Sequence, residues 1–379
     1  MADSALGNLR VLDFSRVLAG PFATMLLADL GAVVTKVERP GTGDDTRAWA
    51  PPVDAAGEAT YFQSVNRNKA SLVLDLADPG DVARVRALAL ESDVVVENFR
   101  PGLLDGLHLG YDDLRAEHPA LVYCSITGFG RGAGAALPGY DLLVQALGGL
   151  MSITGPADGE PQKVGVALVD VLAGLFATVG ILAALRHRDA TGEGQWVEVD
   201  LLSSLLAGLV NQGSAHTAGG VVPTRMGNRH PSIAPYELLP CADGSELVLA
   251  VGNDRQFAAL CEVLRVPELA EDPRFAQNGA RVEHHDALRE ALGQRLAERA
   301  AEDWAAALTA ARVPAGVVND VAGAFRLAAS LGLAPVVDLP REDGTTVALT
   351  RNPIGLSATP PAYRTAPPGL GGGGTSTAQ

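Results

Sequence analysis

Residues 9–39 read LRVLDFSRVLAGPFATMLLADLGAVVTKVER, and their pattern changes period twice. Leu9–Phe14 is an apolar run of strand length. Gly20–Leu30 repeats its apolar positions at helical spacing, and Ala32–Val37 is a second strand that ends on Glu38–Arg39. Outward from this segment the alternation continues. Ser71–Leu76 (SLVLDL) is a third strand, and Asp78-Pro79 opens a helix over Gly80–Leu90. Asp93–Phe99 (DVVVENF) and Ala120–Ile126 (ALVYCSI) are further strands. Short apolar strands separated by helix-length spacers predict an α/β fold with a doubly wound parallel sheet. In such a sheet the ligand crevice lies beyond the carboxyl ends of the strands. That places Ser15–Ala19, Glu38–Pro40, Asp75 and Asn98–Gly102 at the expected site.

A chain of 379 residues is long for one core, so two domains are expected. From Tyr140 the pattern turns helical, with a strand at Gln195–Val199, an apolar helix near Leu201–Leu209 and a Gly/Pro/Ser-rich loop over Thr217–Pro235. Past it lie a strand at Glu246–Val251, helices at Asp254–Leu264, Glu283–Glu298 and Ala301–Ala311, and a strand at Thr345–Leu349. The expected organisation is a large domain over 1–200 completed by 330–366, a linker and active-site loop over 201–235, and a smaller α+β domain over 236–329. The tail 367–379 (PPGLGGGGTSTAQ) is expected to be disordered.

A net charge of −15 without any Lys/Arg run argues against a nucleic-acid partner. Cys124, Cys241 and Cys261 lie far apart, and no His/Cys cluster has ligand spacing, so neither a metal nor a disulfide framework is expected. The first twenty residues carry acids and no uninterrupted apolar core, which sets the expectation of a cytoplasmic protein. Val164–Leu185 is long enough to span a bilayer but holds Asp170, and a carboxylate there would cost about 2.5–3.5 kcal/mol on insertion. A buried core helix is the better reading, and no membrane partner is expected.

No GxGxxG, Walker loop, HExxH or GxSxG is present, which leaves carboxylates as the main candidates for chemistry. Asp170 stands alone in its apolar helix. It is either a cap or satisfied core acid, or a nucleophile or proton-transfer group lifted into a cleft, and pattern alone does not choose. Thr127–Gly134 and Asn228–Tyr236 are turns or lids on the same footing. Arg16, Lys36, Arg39, Arg47, Arg67, Lys69 and Arg100 cluster at or beyond strand ends. Individually they read as surface charges; together they read as a phosphate site.

The runs VLDFSRVLAGPFATMLLADLGAVVTKVERPGTGDDTR, NRNKASLVLDL, DVVVENFRPG, GYDLLVQALGGLMSITG, GVALVDVLAGLFA and TGEGQWVEVDLLSS resemble, in this order, family III CoA-transferases. That group includes formyl-CoA transferase and the α-methylacyl-CoA racemases, and the resemblance covers roughly residues 8 to 365. It implies a Rossmann-like large domain, a small domain and an interlocked homodimer. It also implies catalysis by Asp170 through an acyl-aspartyl anhydride and an aspartyl-CoA thioester, with CoA as substrate and product and no tightly bound cofactor. The implied CoA-binding positions are Val17, Leu18, Ala19, Arg39, Leu72, Val73, Leu74, Asp75, Asn98, Phe99, Arg100 and Tyr140. A family Arg for the CoA phosphate falls here on Gly106. The segment around NRHPSIAPYELL resembles the succinyl-CoA:glutarate branch, which implies a dicarboxylic acceptor and makes Arg131, Arg225, Arg229 and His230 candidates for its distal carboxylate. Two alternatives stand beside this reading. A racemase would need a base where this chain has Tyr140, a poor α-proton acceptor at neutral pH. A non-catalytic CoA-binding scaffold would have no need of Asp170.

Overall fold

The computed structural model describes residues 4–372. Along the chain run β1 (Arg10–Asp13), α1 (Ala19–Asp29), β2 (Val33–Glu38), α2 (Thr60–Val65), β3 (Lys69–Val73), α3 (Pro79–Leu90), β4 (Val94–Glu97), α4 (Tyr111–Glu117) and β5 (Val122–Thr127). Then follow α5 (Asp141–Leu147), α6 (Leu150–Ile153), α7 (Leu168–Thr191), β6 (Trp196–Asp200), α8 (Leu201–Gly208), α9 (Val210–Thr217), β7 (Tyr236–Pro240) and β8 (Glu246–Ala250). The chain continues through α10 (Asp254–Leu264), α11 (Glu268–Glu271), α12 (Asn278–Glu283), α13 (His285–Leu296), α14 (Ala301–Ala310), β9 (Ala315–Val317), α15 (Val321–Ser330), β10 (Val336–Pro340) and β11 (Thr346–Thr350). Within the described residues, 4–150, 163–221 and 334–372 form one compact unit, and Met151–Gln162 with Val222–Leu333 form another.

The first unit carries a six-stranded sheet in the order β3-β2-β1-β4-β5-β6, every pair parallel. The expected doubly wound topology is therefore observed, and its switch point lies between β1 and β4. The Val94–Val96 run shows why no polar alternation marked these strands: Val94 and Val96 enter the core on one face and Val95 the core on the other. Buried valines of this kind contribute about 1.5–3 kcal/mol each. Helix α7 buries one stripe, Val169, Ala173, Ala177, Ile181 and Leu185, at helical spacing, and leaves Leu175, Phe176 and Val179 exposed. The long apolar segment is thus a helix with one face in the core. Gly174 sits on that face where a Cβ would lie 2.7 Å from the Ala19 carbonyl oxygen, so only glycine lets α7 pack this close to the start of α1.

The boundaries differ from the sequence expectation in three places. Helices α8 and α9 belong to the first unit and are not a linker, because Leu201 and Leu205 join the core of α7. Residues 151–162 belong to the second unit, held to the loop before β7 by the Gly227 amide on the Gly155 carbonyl (3.1 Å) and by Arg225 on the Gly159 carbonyl (2.9 Å). The tail begins ordered. Pro367 and Pro368 are buried, the Ser71 amide donates to the Gly372 carbonyl (2.8 Å), and the Gly371 amide donates to Ser71 Oγ (2.9 Å). Strand β3 is a sheet edge whose N–H groups need partners, and the glycine run supplies them. Residues 373–379 of the expected tail lie outside the described residues.

The second unit is built on an antiparallel sheet in the order β7-β8-β9. Its core gathers Leu247, Leu249, Phe257, Leu260, Leu292 and Trp304. The single helix expected over Glu283–Glu298 is instead α12 and α13, which meet at His284.

Candidate active site

The turn from β1 into α1 passes through Val17 in a left-handed conformation (φ 70°), costly for a β-branched residue, and three groups hold it there. Asn98 accepts the Arg16 amide (2.9 Å) and donates to the Arg16 carbonyl (2.7 Å). Asp44 accepts the Val17 amide (3.3 Å), and the Lys36 ammonium donates to the Ser15 carbonyl (2.7 Å). Gly20 completes the turn, since a Cβ there would fall 2.2 Å from Ser15 Cβ. Below the turn lies a buried charge network. Lys36 pairs with Asp44 (2.9 Å) and Lys69 with Asp13 (3.1 Å), all four side chains fully buried. Burial pushes the Lys69 ammonium down to about 8 against the pull of Asp13.

The seven basic residues expected to form one cationic patch therefore divide. Lys36 and Lys69 are internal, Arg47 grips Glu38 with two bonds (2.7 and 2.8 Å), and Arg67 grips Asp29 beneath the returning C-terminal segment. Arg16, Arg39 and Arg100 remain at the strand ends. Arg16 lies over the Phe99 ring (5.1 Å), and Arg39 pairs with Asp45 and donates to Thr42 Oγ1 (2.7 Å). With Phe14, Val37, Leu74, Leu76, Asp75 and Phe99, Arg16 and Arg39 line an apolar slot with a charged rim at the carboxyl ends of β1 to β4. Leu72 and Val73 are the last residues of β3 and do not line this slot; the next residue, Leu74, does.

Asp170 stands in the first turn of α7, half-buried, where two further recesses meet. One is walled by Ala19, Asn98, Phe99, Arg100 and the glycine-rich turn Thr127–Gly130. The other is walled by Val17, Leu18, Trp49, Tyr61, Tyr140, Asp141 and Lys163. The structural reading of Asp170 as a helix cap does not hold. Ala167 caps α7 without a side-chain bond; the Leu168 amide donates to the Val166 carbonyl (2.8 Å), and the next two amides, Val169 (2.8 Å) and Asp170 (3.2 Å), donate to Asp141 Oδ1. Burial, and then the charge of Asp141, pushes the Asp170 carboxyl up to about 7. Burial and the charges of Asp170, Asp141 and Asp44 push the Tyr61 hydroxyl up to about 12. A carboxyl with this titration in a cleft is equipped for nucleophilic or proton-transfer chemistry.

Of the residues singled out in the sequence, Val17, Leu18, Ala19, Asn98, Phe99, Arg100, Tyr140 and Asp170 come together here. Arg131 does not join them. It donates to Asp105 Oδ2 (3.0 Å) and covers the Trp196 ring (4.6 Å). Arg225, Arg229 and His230 lie in the second unit. There Arg225 holds backbone carbonyls, Arg229 pairs with Asp286 (2.7 Å), and His230 accepts the Ser232 amide (3.1 Å) and lies beside the Tyr236 ring. Sequence reasoning missed Trp49, Tyr61, Asp141 and Lys163. For Asp141 a signal existed: an acid beside Tyr140 at the start of an apolar helix.

The strand order, the switch point between β1 and β4 and the crevice at their carboxyl ends define a doubly wound α/β protein, a class whose ligand crevice lies beyond the carboxyl ends of the strands. Residues 6–373 match CoA-transferase family III, and the chain belongs to that family and is a CoA-transferase acting on CoA thioesters. It is 45% identical over 372 residues to the succinate–glutarate CoA-transferase of Agrobacterium fabrum, covering 97% of this chain and 93% of the relative. It is 43% identical to the acetyl-CoA:oxalate CoA-transferase of Acetobacter aceti, covering 84% of this chain and 82% of the relative. The crystal structure of a CAIB/BAIF family protein from Brucella suis superposes with a TM-score of 0.86 at 42% identity, covering 97% of each chain.

Proposed function

We propose that the protein moves CoA from succinyl-CoA to a dicarboxylic acid, with Asp170 as the covalent relay. The observation that carries this reading is the position of Asp170, a half-buried carboxyl with a raised pKa where the two recesses meet. Its carboxylate attacks the thioester carbonyl, the C–S bond breaks, and an acyl-aspartyl anhydride forms as CoA leaves as thiolate. The thiolate attacks the aspartyl carbonyl, releasing succinate and leaving an aspartyl-CoA thioester. The acceptor carboxylate displaces CoA to form a second anhydride, and the thiolate takes the acceptor's acyl group and frees Asp170. Each step exchanges one acyl bond for another of similar energy, which is what a covalent intermediate offers.

CoA occupies the slot at the ends of β1 to β4 in this reading, with its rings on Phe14, Leu74 and Phe99 and its phosphates toward Arg16, Arg39 and Arg100. The dicarboxylic class is supported by the glutarate and oxalate enzymes among the relatives. In this reading the distal carboxylate pairs with Lys163, the cation on the wall of the recess lined by Trp49, Tyr61 and Asp170. Lys163→Met should raise the KM for a dicarboxylate by about tenfold or more, as expected for a lost charge-assisted bond, and affect a monocarboxylate acceptor far less. An equal effect on both acceptors would remove Lys163 from this role. The reading includes a homodimer, in which a second copy covers the exposed Leu175, Phe176 and Val179 of α7. Light scattering should then give twice the chain mass.

The nucleophile is the ionised carboxylate. Because the Asp170 pKa lies near 7, transfer should fall tenfold per pH unit below about 7 and level off above it. A rate that stays flat down to pH 5 would contradict an ionisable Asp170 as nucleophile.

A further inference from the structure

We propose that Asp141 is the positioning residue of this site: bonded to the Val169 and Asp170 amides at the amino terminus of α7, it fixes the Asp170 backbone and sets a like charge beside the Asp170 carboxylate in place of the helix amides. The proposal rests on the reading of Asp170 as nucleophile. A lone acid in the first turn of a helix is normally eased toward ionisation by the free N–H groups and the helix dipole. Here those groups are taken. Asp141 Oδ1 accepts from Val169 at 2.8 Å and from Asp170 at 3.2 Å. Its Oδ2 accepts from Gln145 Nε2 at 2.6 Å, and the buried Gln145 turns its Oε1 to the Val164 amide at 2.9 Å. Helix α5 thus clamps both the entry to α7 and its first turn through one carboxylate and one amide.

The other groups facing Asp170 do not supply a compensating charge in the same place. Tyr61 comes from α2 and holds its proton more tightly because of burial and then the nearby carboxylates. Lys163 and Tyr140 are exposed on the recess wall, and Asn98 and Arg100 border the neighbouring recess. The like charge beside Asp170 makes its carboxylate more basic, and so a better nucleophile once ionised.

The test uses the full-length protein and the variants Asp141→Asn and Asp141→Ser, each of which keeps an acceptor for the helix amides and removes the charge. The Asp170 carboxyl titration is read by carbon-13 NMR of aspartate-labelled protein, assigned with Asp170→Asn, and the pH profile of transfer is read in parallel. The expected result is a downward shift of about one pH unit or more in both the NMR midpoint and the acid limb, in whichever variant folds. An unmoved midpoint, with only a uniform loss of rate, would reduce Asp141 to a structural cap and overturn the proposal. The NMR midpoint is read without substrate, so an unmoved midpoint counts against Asp141 alone. A shifted midpoint with no acid limb in the transfer rate counts against Asp170 as nucleophile.

Discussion

Asp170→Asn should lower CoA transfer by about four orders of magnitude or more while acyl-CoA still binds, because removing a covalent nucleophile removes the whole relay. The slot that would hold the CoA rings is built from β1 to β4 and does not involve residue 170, so binding by calorimetry should change little. The same variant should gain stability in one pH range. A carboxyl whose folded pKa is raised to about 7 binds a proton more tightly folded than unfolded, so the wild type loses stability as pH rises from about 4 to about 7. Asparagine lacks this loss. The variant should therefore denature later than the wild type at pH 8, by on the order of 1–2 kcal/mol after allowance for solvent access, and show no such gain near pH 4. Transfer within tenfold of the wild type would exclude Asp170 as the relay.

The second large effect is expected at Lys36. Its ammonium is fully buried between Asp44 (2.9 Å) and the Ser15 carbonyl (2.7 Å). Burial alone would raise the Asp44 carboxyl, but Lys36 and Thr46 hold it below the ordinary carboxylate range. Lys36→Met leaves that carboxylate buried without its cation and should cost about 3–5 kcal/mol at pH 7, measured by chemical denaturation. Removing both charges in Lys36→Met/Asp44→Asn should recover much of the loss, since the penalty comes from the unpaired partner. Below about pH 4 the wild type should approach the single variant, because Asp44 contributes its stability only while ionised. A loss under about 1 kcal/mol in Lys36→Met would mean that the turn through Val17 does not depend on this pair.

The sheet was legible because strands buried on both faces must be apolar along their whole length. Leu9–Phe14 and Asp93–Phe99 each enclose an observed strand, Ala32–Val37 overlaps β2 but stops one residue short of its end at Glu38, and α10 begins and ends where its spacing predicts. Strand β7 was not legible: it carries the buried Glu237, held by Arg289 from α13, and ends on a proline. The cationic patch misled for a related reason. The acids that absorb Arg47, Arg67 and Lys69 stand 9 to 56 positions away, and only folding brings Glu38, Asp29 and Asp13 to them. The start of the tail, residues 367–372, misled because glycine-rich composition reads as disorder until an open sheet edge is found beside it. At the site, Asp170 was visible as one charge in an apolar helix. Whether it capped that helix was not, because the true cap, Asp141, lies 29 residues earlier and reaches α7 only through the packing of α5.

A covalent relay through Asp170 leaves an intermediate that can be trapped. The wild-type protein is mixed with succinyl-CoA, quenched with hydroxylamine, digested and mapped by mass spectrometry. A hydroxamate is expected on the peptide that contains Asp170, formed only when the acyl-CoA is present and missing from Asp170→Asn. Full transfer activity with an unmodified Asp170, or a hydroxamate on a different carboxyl, would contradict this relay.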